Sequence, residues 1–238
     1  MHDKSMDPAD EQAGAWTKAF ESGKFVRKSS EFRDQIAADD AFDIESQRYH
    51  LYVSHACPWA HRTLITSVLL GLQEHLTFDV VDWRMNPNGS WSFNAEEEGA
   101  TADTVNGETS LEGIYSRAFD QWSENGSIGT VPVLWDRKHS TIVNNESREI
   151  VRMFDTLAQS GLGNGRTLCP NELKTEIDQM IDANYETVNN GVYKSGFART
   201  QSAYDEAVTA LFNRLDELES HLEGREWLVG DGKGQLTE

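Results

Sequence analysis

The run Tyr49-His50-Leu51-Tyr52-Val53-Ser54-His55-Ala56-Cys57-Pro58-Trp59-Ala60-His61-Arg62 decides how this chain is read. It opens as an extended apolar stretch with aromatic side chains, the composition of a buried strand. Cys-Pro follows at once, and then an apolar pattern at helical spacing. Pro58 suits the first helical position, where no backbone N–H is needed and φ is already near the helical value. Cys57 therefore falls at a helix start, where unpaired N–H groups and the positive end of the dipole favour thiolate over thiol. Three positions on stands Ala60 rather than a second cysteine. A Cys-x-x-Cys shuttle is excluded, and one-thiol chemistry needs an external thiol to close its cycle.

Outward from this stretch the chain alternates. Residues 49–54 read as a strand, 58–71 as a helix ended by Gly71, and 77–83 as a second strand. Residues 85–107, rich in Asn, Gly, Asp and Glu, carry no sustained period and read as a long loop. Residues 111–122 read as a helix, 131–135 and 141–143 as a hairpin, and 146–159 as an amphipathic helix. The order β-α-β-α-β-β-α, with a nucleophile after the first strand, predicts an α/β thioredoxin-like domain over 46–160. Residues 1–45 are polar and acidic with scattered aromatics, Trp16 among them, and read as an arm. After the Gly-rich linker 160–165, residues 171–190 and 202–223 show only helical spacing, so 166–238 is predicted to be an all-α domain. Thr237 reads as the N-cap of a helix whose body is absent, so that helical domain is expected to be truncated.

Composition sets bounds on partners. The 238 residues hold 40 acidic against 21 basic side chains, a formal charge of −19. That balance argues against nucleic acid and anionic membranes as partners. No apolar run approaches the roughly 20 residues of a membrane span, and the N-terminus lacks the pattern of a secretory signal. Two cysteines give no disulfide framework, which fits a reducing cytoplasm. No metal-ligand spacing, phosphate loop or dinucleotide fingerprint is present, so neither a metal nor a resident cofactor is expected.

Four other places can carry chemistry. Thr130-Val131-Pro132 opens the third strand, where a proline is either an ordinary edge residue or a cis residue. A cis Pro132 turns the Val131 backbone toward the Cys57 helix, where it can pair with an extended peptide. Asn144-Asn145-Glu146-Ser147 leads into a helix start, which is either plain N-capping or a carboxylate site, with Glu146 available to a ligand ammonium group. Trp91 is either a wall for the ligand or an anchor of its loop. Tyr193, in a helix interrupted by Asn and Gly, either packs or projects a phenol into a cleft. His61 and Arg62 either support a thiolate or face solvent or the N-terminal arm, and Cys169 reads as structural. Together, a thiol, a backbone pair and a carboxylate site describe a receptor for a short peptide with a thiol and a free carboxylate. Glutathione fits.

Ala56-Cys57-Pro58-Trp59-Ala60-His61-Arg62 after its strand resembles the signature of the glutathionyl-hydroquinone reductases, the Xi-class glutathione transferases. Gly89-Ser90-Trp91-Ser92-Phe93, Thr130-Val131-Pro132-Val133-Leu134-Trp135-Asp136, Ile142-Val143-Asn144-Asn145-Glu146-Ser147 and residues 182–197 match as well. The resemblance implies a nucleophile at Cys57 and a catalytic tyrosine at Tyr193. It places glutathione, as co-substrate, against Trp91, along Thr130, Val131 and Pro132, and at Glu146 and Ser147. It also implies a homodimer for full-length members, formed through segments beyond residue 238. The activity implied is reduction of glutathionyl-hydroquinones through a Cys57–glutathione mixed disulfide. Dehydroascorbate reductase or thioltransferase activity would use the same residues, and a non-catalytic redox-binding role is the remaining alternative.

The acidic excess has a testable side. It serves solubility or a high-salt cytoplasm, and only 8 of the 21 basic residues are Lys. If the second holds, salt that screens the self-repulsion stabilises the fold. The thermal unfolding midpoint is expected to rise from low to molar KCl; a falling midpoint rejects the high-salt reading.

Overall fold

The computed structural model describes residues 20–21, 23–26, 29–86, 89–122, 129–230 and 236–238. Trp16 and the other residues of 1–19, read above as part of an arm, lie outside that set. The chain divides into two compact units. One is formed by the described residues of Ser30–Arg166, the other by those of Thr17–Ser29 together with Thr167–Glu238. The segment read as one arm is thus shared between the two.

In the first unit, β1 (Tyr49–Val53) lies between two strands of the sheet and is buried at all five positions. It runs parallel to β2 (Thr77–Val80) and antiparallel to β3 (Val133–Asp136), and β3 pairs antiparallel with β4 (Thr141–Asn144). The sheet order is β2-β1-β3-β4. Helix α1 (Pro58–Leu69) follows β1, α2 (Leu111–Ala118) precedes β3, and α3 (Ser147–Leu157) follows β4. This is the β-α-β-α-β-β-α order expected from the sequence, a thioredoxin-like domain. Helices α1 and α3 pack on each other. Leu51, Tyr52, Val53, Leu111, Ile114, Val133, Leu134, Trp135 and Phe154 are wholly buried and make the core.

The element ends have local causes. Gly71, at φ +73°, closes α1: its N–H bonds to Val68 O at 3.1 Å and Leu72 N–H reaches back to Ser67 O at 2.9 Å. This Schellman arrangement satisfies the last carbonyls of the helix. Helix α2 stops earlier than the expected 122 because Phe119 is extended, with φ −150° and ψ 107°. Trp122 keeps the apolar period going from outside the helix, stacked on Tyr115 with centroids 4.3 Å apart. The long loop is ordered by two buried carboxylates. Asp79 accepts from Thr104 N and Oγ1 at 2.7 and 2.8 Å, and Asp103 accepts from Tyr52 OH and from the N–H groups of Val105, Asn106 and Glu108.

In the second unit, α4 (Lys174–Asn184) passes through a π-helical turn over Tyr185–Asn189 into α5 (Gly191–Gly196), and α6 (Gln201–His221) follows. Thr200 caps α6, its side chain accepting from Ala203 N at 3.2 Å. A two-residue hairpin pairs Phe20–Glu21 with Lys24–Phe25. It is tied on by Arg199 N–H to Gly23 O at 3.0 Å and by buried Phe25. Among the described residues no helix is long and apolar enough to cross a membrane.

One buried ion pair locks the base of the sheet. Arg48 grips Asp136 through two 2.8 Å bonds, with 2% and 0% of the two side chains exposed. Burial alone would raise the Asp136 pKa, but the bonds from Arg48 and from Lys138 N outweigh it and hold the carboxyl below its ordinary value. A lowered folded-state pKa contributes stability that is complete above the unfolded value, about 4, and is lost as pH falls through the folded value. Asp136→Ala removes the buried bidentate partner and leaves the guanidinium the Ala41 carbonyl and the Glu45 carboxylate at 3.7 Å, so it should lower the unfolding free energy by about 3 kcal/mol at neutral pH. Urea titrations at neutral pH and near pH 3 check this, and the difference from wild type must shrink at the lower pH.

Candidate active site

The turn between β1 and α1 builds the first element of the site. Ser54 is buried; its Oγ accepts from Ala56 N at 3.2 Å and its carbonyl accepts from Cys57 N at 3.1 Å. This folds the chain back so that Cys57 becomes the N-cap of α1, at φ −103° and ψ 113°, with Pro58 the first helical residue. The Cys57 carbonyl accepts from His61 N at 2.9 Å. Proline has no N–H to give, and the next amides point toward the space in front of the helix. Cys57 is half-buried, and neither it nor Cys169 is in a disulfide. Its thiol donates to Val131 O at 3.5 Å.

Val131 is held there by a residue that sequence reasoning missed. The Val131–Pro132 peptide is cis, and both residues are buried. Just before them, Thr130 is fastened to the wholly buried Tyr115: the phenol donates to Thr130 O at 2.8 Å and accepts from Thr130 N at 3.3 Å and Asn145 Nδ2 at 3.0 Å. Burial pushes the Tyr115 pKa up, although the bonds from Thr130 and Asn145 oppose it. One neutral phenol thus links the backbone beside Cys57 to the turn that leads into α3.

That turn carries Glu146 and Ser147. Glu146 is the N-cap of α3, accepting from Arg148 N at 3.3 Å, and its other oxygen accepts from Ser30 Oγ at 3.1 Å. Capping is therefore real here, and it leaves the carboxylate at the helix start. Ser147 is buried in the first turn. Arg62 of α1 reaches across to it, with Nη2 and Nε 2.6 and 3.0 Å from Ser147 Oγ and Nη2 3.7 Å from Glu146 Oε1. Its guanidinium also lies 5.0 Å from the Trp59 ring centroid. Arg62 thus turns inward, whereas His61 is exposed. One turn into α3, Glu149 accepts from Arg33, Asn144 and Gln35, and these bonds, Arg33 first, hold its pKa below the ordinary value against the effect of burial.

Cys57, Val131, Glu146 and Ser147 are thus joined by direct bonds and by Arg62 and Tyr115 within one unit. Trp91 is half-buried in the loop after β2; it bridges to Met85 and its carbonyl accepts from Leu111 N at 2.8 Å. Tyr193 belongs to the second unit. It lies on α5, half-buried, with its ring 6.2 Å from Phe25 and 6.1 Å from Phe197 between centroids. The packing role weighed for it is met by that cluster.

A cysteine on the N-cap of the first helix, facing the residue before a cis proline, is set in a thioredoxin-like domain of the glutathione transferase kind. The family described as "Glutathione S-transferase, N-terminal domain" matches residues 56–157. Glutathionyl-hydroquinone reductase PcpF of Sphingobium chlorophenolicum is 43% identical over 94% of this chain and 70% of its own length. The crystal structure of the Xi glutathione S-transferase from Phanerochaete chrysosporium is 46% identical with a TM-score of 0.83, over 90% of this chain and 68% of that one. The glutathione-bound structure of YqjG from Escherichia coli K-12 is likewise 46% identical, with a TM-score of 0.80, over 87% and 68%. The chain belongs to the Xi-class glutathione transferases, the family of the glutathionyl-hydroquinone reductases.

Tyr115 gives the test of how the site is assembled. Tyr115→Phe leaves the Thr130 carbonyl and the Asn145 amide unpaired in a buried place, which should cost about 1–3 kcal/mol of stability. Chemical denaturation of the two proteins measures it, and an unchanged midpoint would show that the phenol ties nothing together.

Proposed function

We propose that this chain reduces glutathionyl-hydroquinones to hydroquinones at the expense of glutathione. The observation that carries the reading is the Cys57 sulfur, at the start of α1 and 3.5 Å from the Val131 carbonyl. There an extended tripeptide can pair with the Val131 backbone while its thiol meets Cys57. Glutathione is a bound ligand of the related YqjG structure, which supports the same ligand here. In this reading Thr130, Val131 and Pro132 line the tripeptide, Trp91 walls it, and the start of α3 takes its α-amino-acid end. Ser147 donates to that carboxylate and Glu146 accepts from the ammonium group. Residues 46–160 are then the glutathione-binding domain, and 166–238 the helical domain, in which Tyr193 matches the family's catalytic tyrosine. The acidic charge and the cysteine usage favour the cytoplasm, with no nucleic acid or membrane as partner.

Chemistry follows in two displacements. The Cys57 thiolate attacks the sulfur of the glutathionyl-hydroquinone, forming the Cys57–glutathione disulfide as the carbon–sulfur bond breaks. The bonding pair leaves with the aromatic carbon, which takes a proton from the Tyr193 phenol, and hydroquinone departs. A glutathione thiolate then attacks the glutathione sulfur of the mixed disulfide, releasing oxidised glutathione and the Cys57 thiolate. Two electrons pass to the carbon from two sulfurs, the thioether of the substrate and the thiol of the second glutathione, and the proton that thiol releases balances the one Tyr193 gives to the carbon and regains from solvent. Ala60 in place of a resolving cysteine leaves this external thiol as the route out.

Incubation with glutathionyl-menadiol in the absence of glutathione should leave one glutathione adduct on Cys57, seen by intact-mass and peptide mapping. Cys57→Ser should form no adduct and lose turnover altogether. A serine variant that still turns over, or preference for dehydroascorbate over the glutathionyl-hydroquinone, discards the assignment.

A further inference from the structure

The reading of Glu146 and Ser147 as the ligand's amino-acid site leaves open why that site would select an anion, since a serine hydroxyl can donate or accept with equal ease. Arg62 removes the ambiguity. The Ser147 oxygen offers two lone pairs and one hydrogen. Arg62 approaches that oxygen with two N–H groups, Nη2 at 2.6 Å and Nε at 3.0 Å. A guanidinium carries donors only and keeps its proton at any working pH. Both nitrogens belong to one fork and lie on the same side of the oxygen, so the donors and the positive charge there turn the hydroxyl hydrogen away from Arg62 and leave it for a ligand.

We infer that Arg62 is a positioning residue which orients Ser147 as a hydrogen-bond donor, and so strengthens the site's preference for a carboxylate over a neutral or cationic group. This rests on the proposed glutathione reading and deepens it. Three features support a built arrangement. Ser147 is 2% exposed, so its hydroxyl has little water to reorient it. The Arg62 guanidinium lies near the Trp59 ring, which limits its swing. Glu146 Oε1 stands 3.7 Å from Arg62 Nη2, too long for a hydrogen bond, so the carboxylate offsets the cation without drawing it off the serine. The anion-selecting donor and the ammonium-accepting acid then sit on successive residues, matched to the two charged groups on one α-carbon.

Lysine cannot replace this function, because a single ammonium does not present the two-pronged fork. The test is therefore binding of two ligands by the full chain, measured by calorimetry: glutathione, and the analogue γ-aminobutyryl-cysteinyl-glycine, which keeps the ammonium group and lacks only the α-carboxylate. Wild type should prefer glutathione. Arg62→Met and Arg62→Lys should each weaken glutathione binding about tenfold, the loss of one charge-assisted hydrogen bond, while the analogue's affinity stays put. In a Ser147→Ala background, Arg62→Met should change glutathione binding by less than about twofold, because a residue acting through another is silent once that other is gone. The pH profile of Cys57 alkylation by iodoacetamide should be the same with and without Arg62.

Additive effects of the two substitutions, or equal weakening of both ligands, overturn the inference. A shifted alkylation profile does so too, by showing that Arg62 acts on the thiol. If Ser147→Ala leaves glutathione binding unchanged, the placement of the carboxylate itself falls. If Ser147→Ala weakens binding and both Arg62 variants do not, only the role of Arg62 falls. The two Arg62 variants guard against misfolding, since lysine retains the charge and most of the packing.

Discussion

The register of β1 against β3 is the constraint on which the site depends. Tyr49 pairs with Asp136 and Tyr52 with Val133, so Val131 and Cys57 are carried past the same end of the sheet. A slip of one residue would displace Cys57 by about 3.3 Å and turn every side chain of β1 to the other face. Both faces of β1 are buried, so the slip has no cheap form. The Arg48–Asp136 grip at the opposite end adds a directional lock, because a forked guanidinium fits one carboxylate position. Fold stability and thiol placement are therefore the same property.

Polar side chains do a large share of the remaining positioning. Asp79 and Asp103 hold the loop that carries Trp91 by accepting backbone N–H groups, and Tyr115 joins the Val131 strand start to the start of α3. A loop without periodicity has few apolar contacts to fix it, so carboxylates that collect its amides take that role. The pKa directions agree with this. Burial opposes the charge of Asp79, and bonds from His50 and Thr104 prevail, leaving its carboxyl below the ordinary value. His50 and the loop's own Thr104 thus act together on Asp79.

The path from sequence to site was legible where the signal is local. Strand, Cys-Pro and apolar helix follow one another within 49–62, and the order of elements and the cis bond at Pro132 follow from short motifs and spacing. Boundaries were less legible: Trp122 kept the helical period although Phe119 had already left the helix. Arg62 and Tyr115 were not legible at all. Their partners lie 85 and 30 residues away in the chain, at Ser147 and Asn145, and nothing in the nearby sequence marks a guanidinium or a phenol as turned inward.

The hairpin at residues 20–25 has a consequence for how the molecule is made. It belongs with α5 and α6, and the pair Lys24–Glu206 joins residues 182 apart. On a ribosome, Phe25 emerges long before Tyr193 and Phe197, the rings it is meant to touch. The sheet and its helices can condense first, while the hairpin waits with an aromatic side chain in water. Closing so distant a loop is slow compared with forming the local helices, so docking of the hairpin follows the helices it packs on.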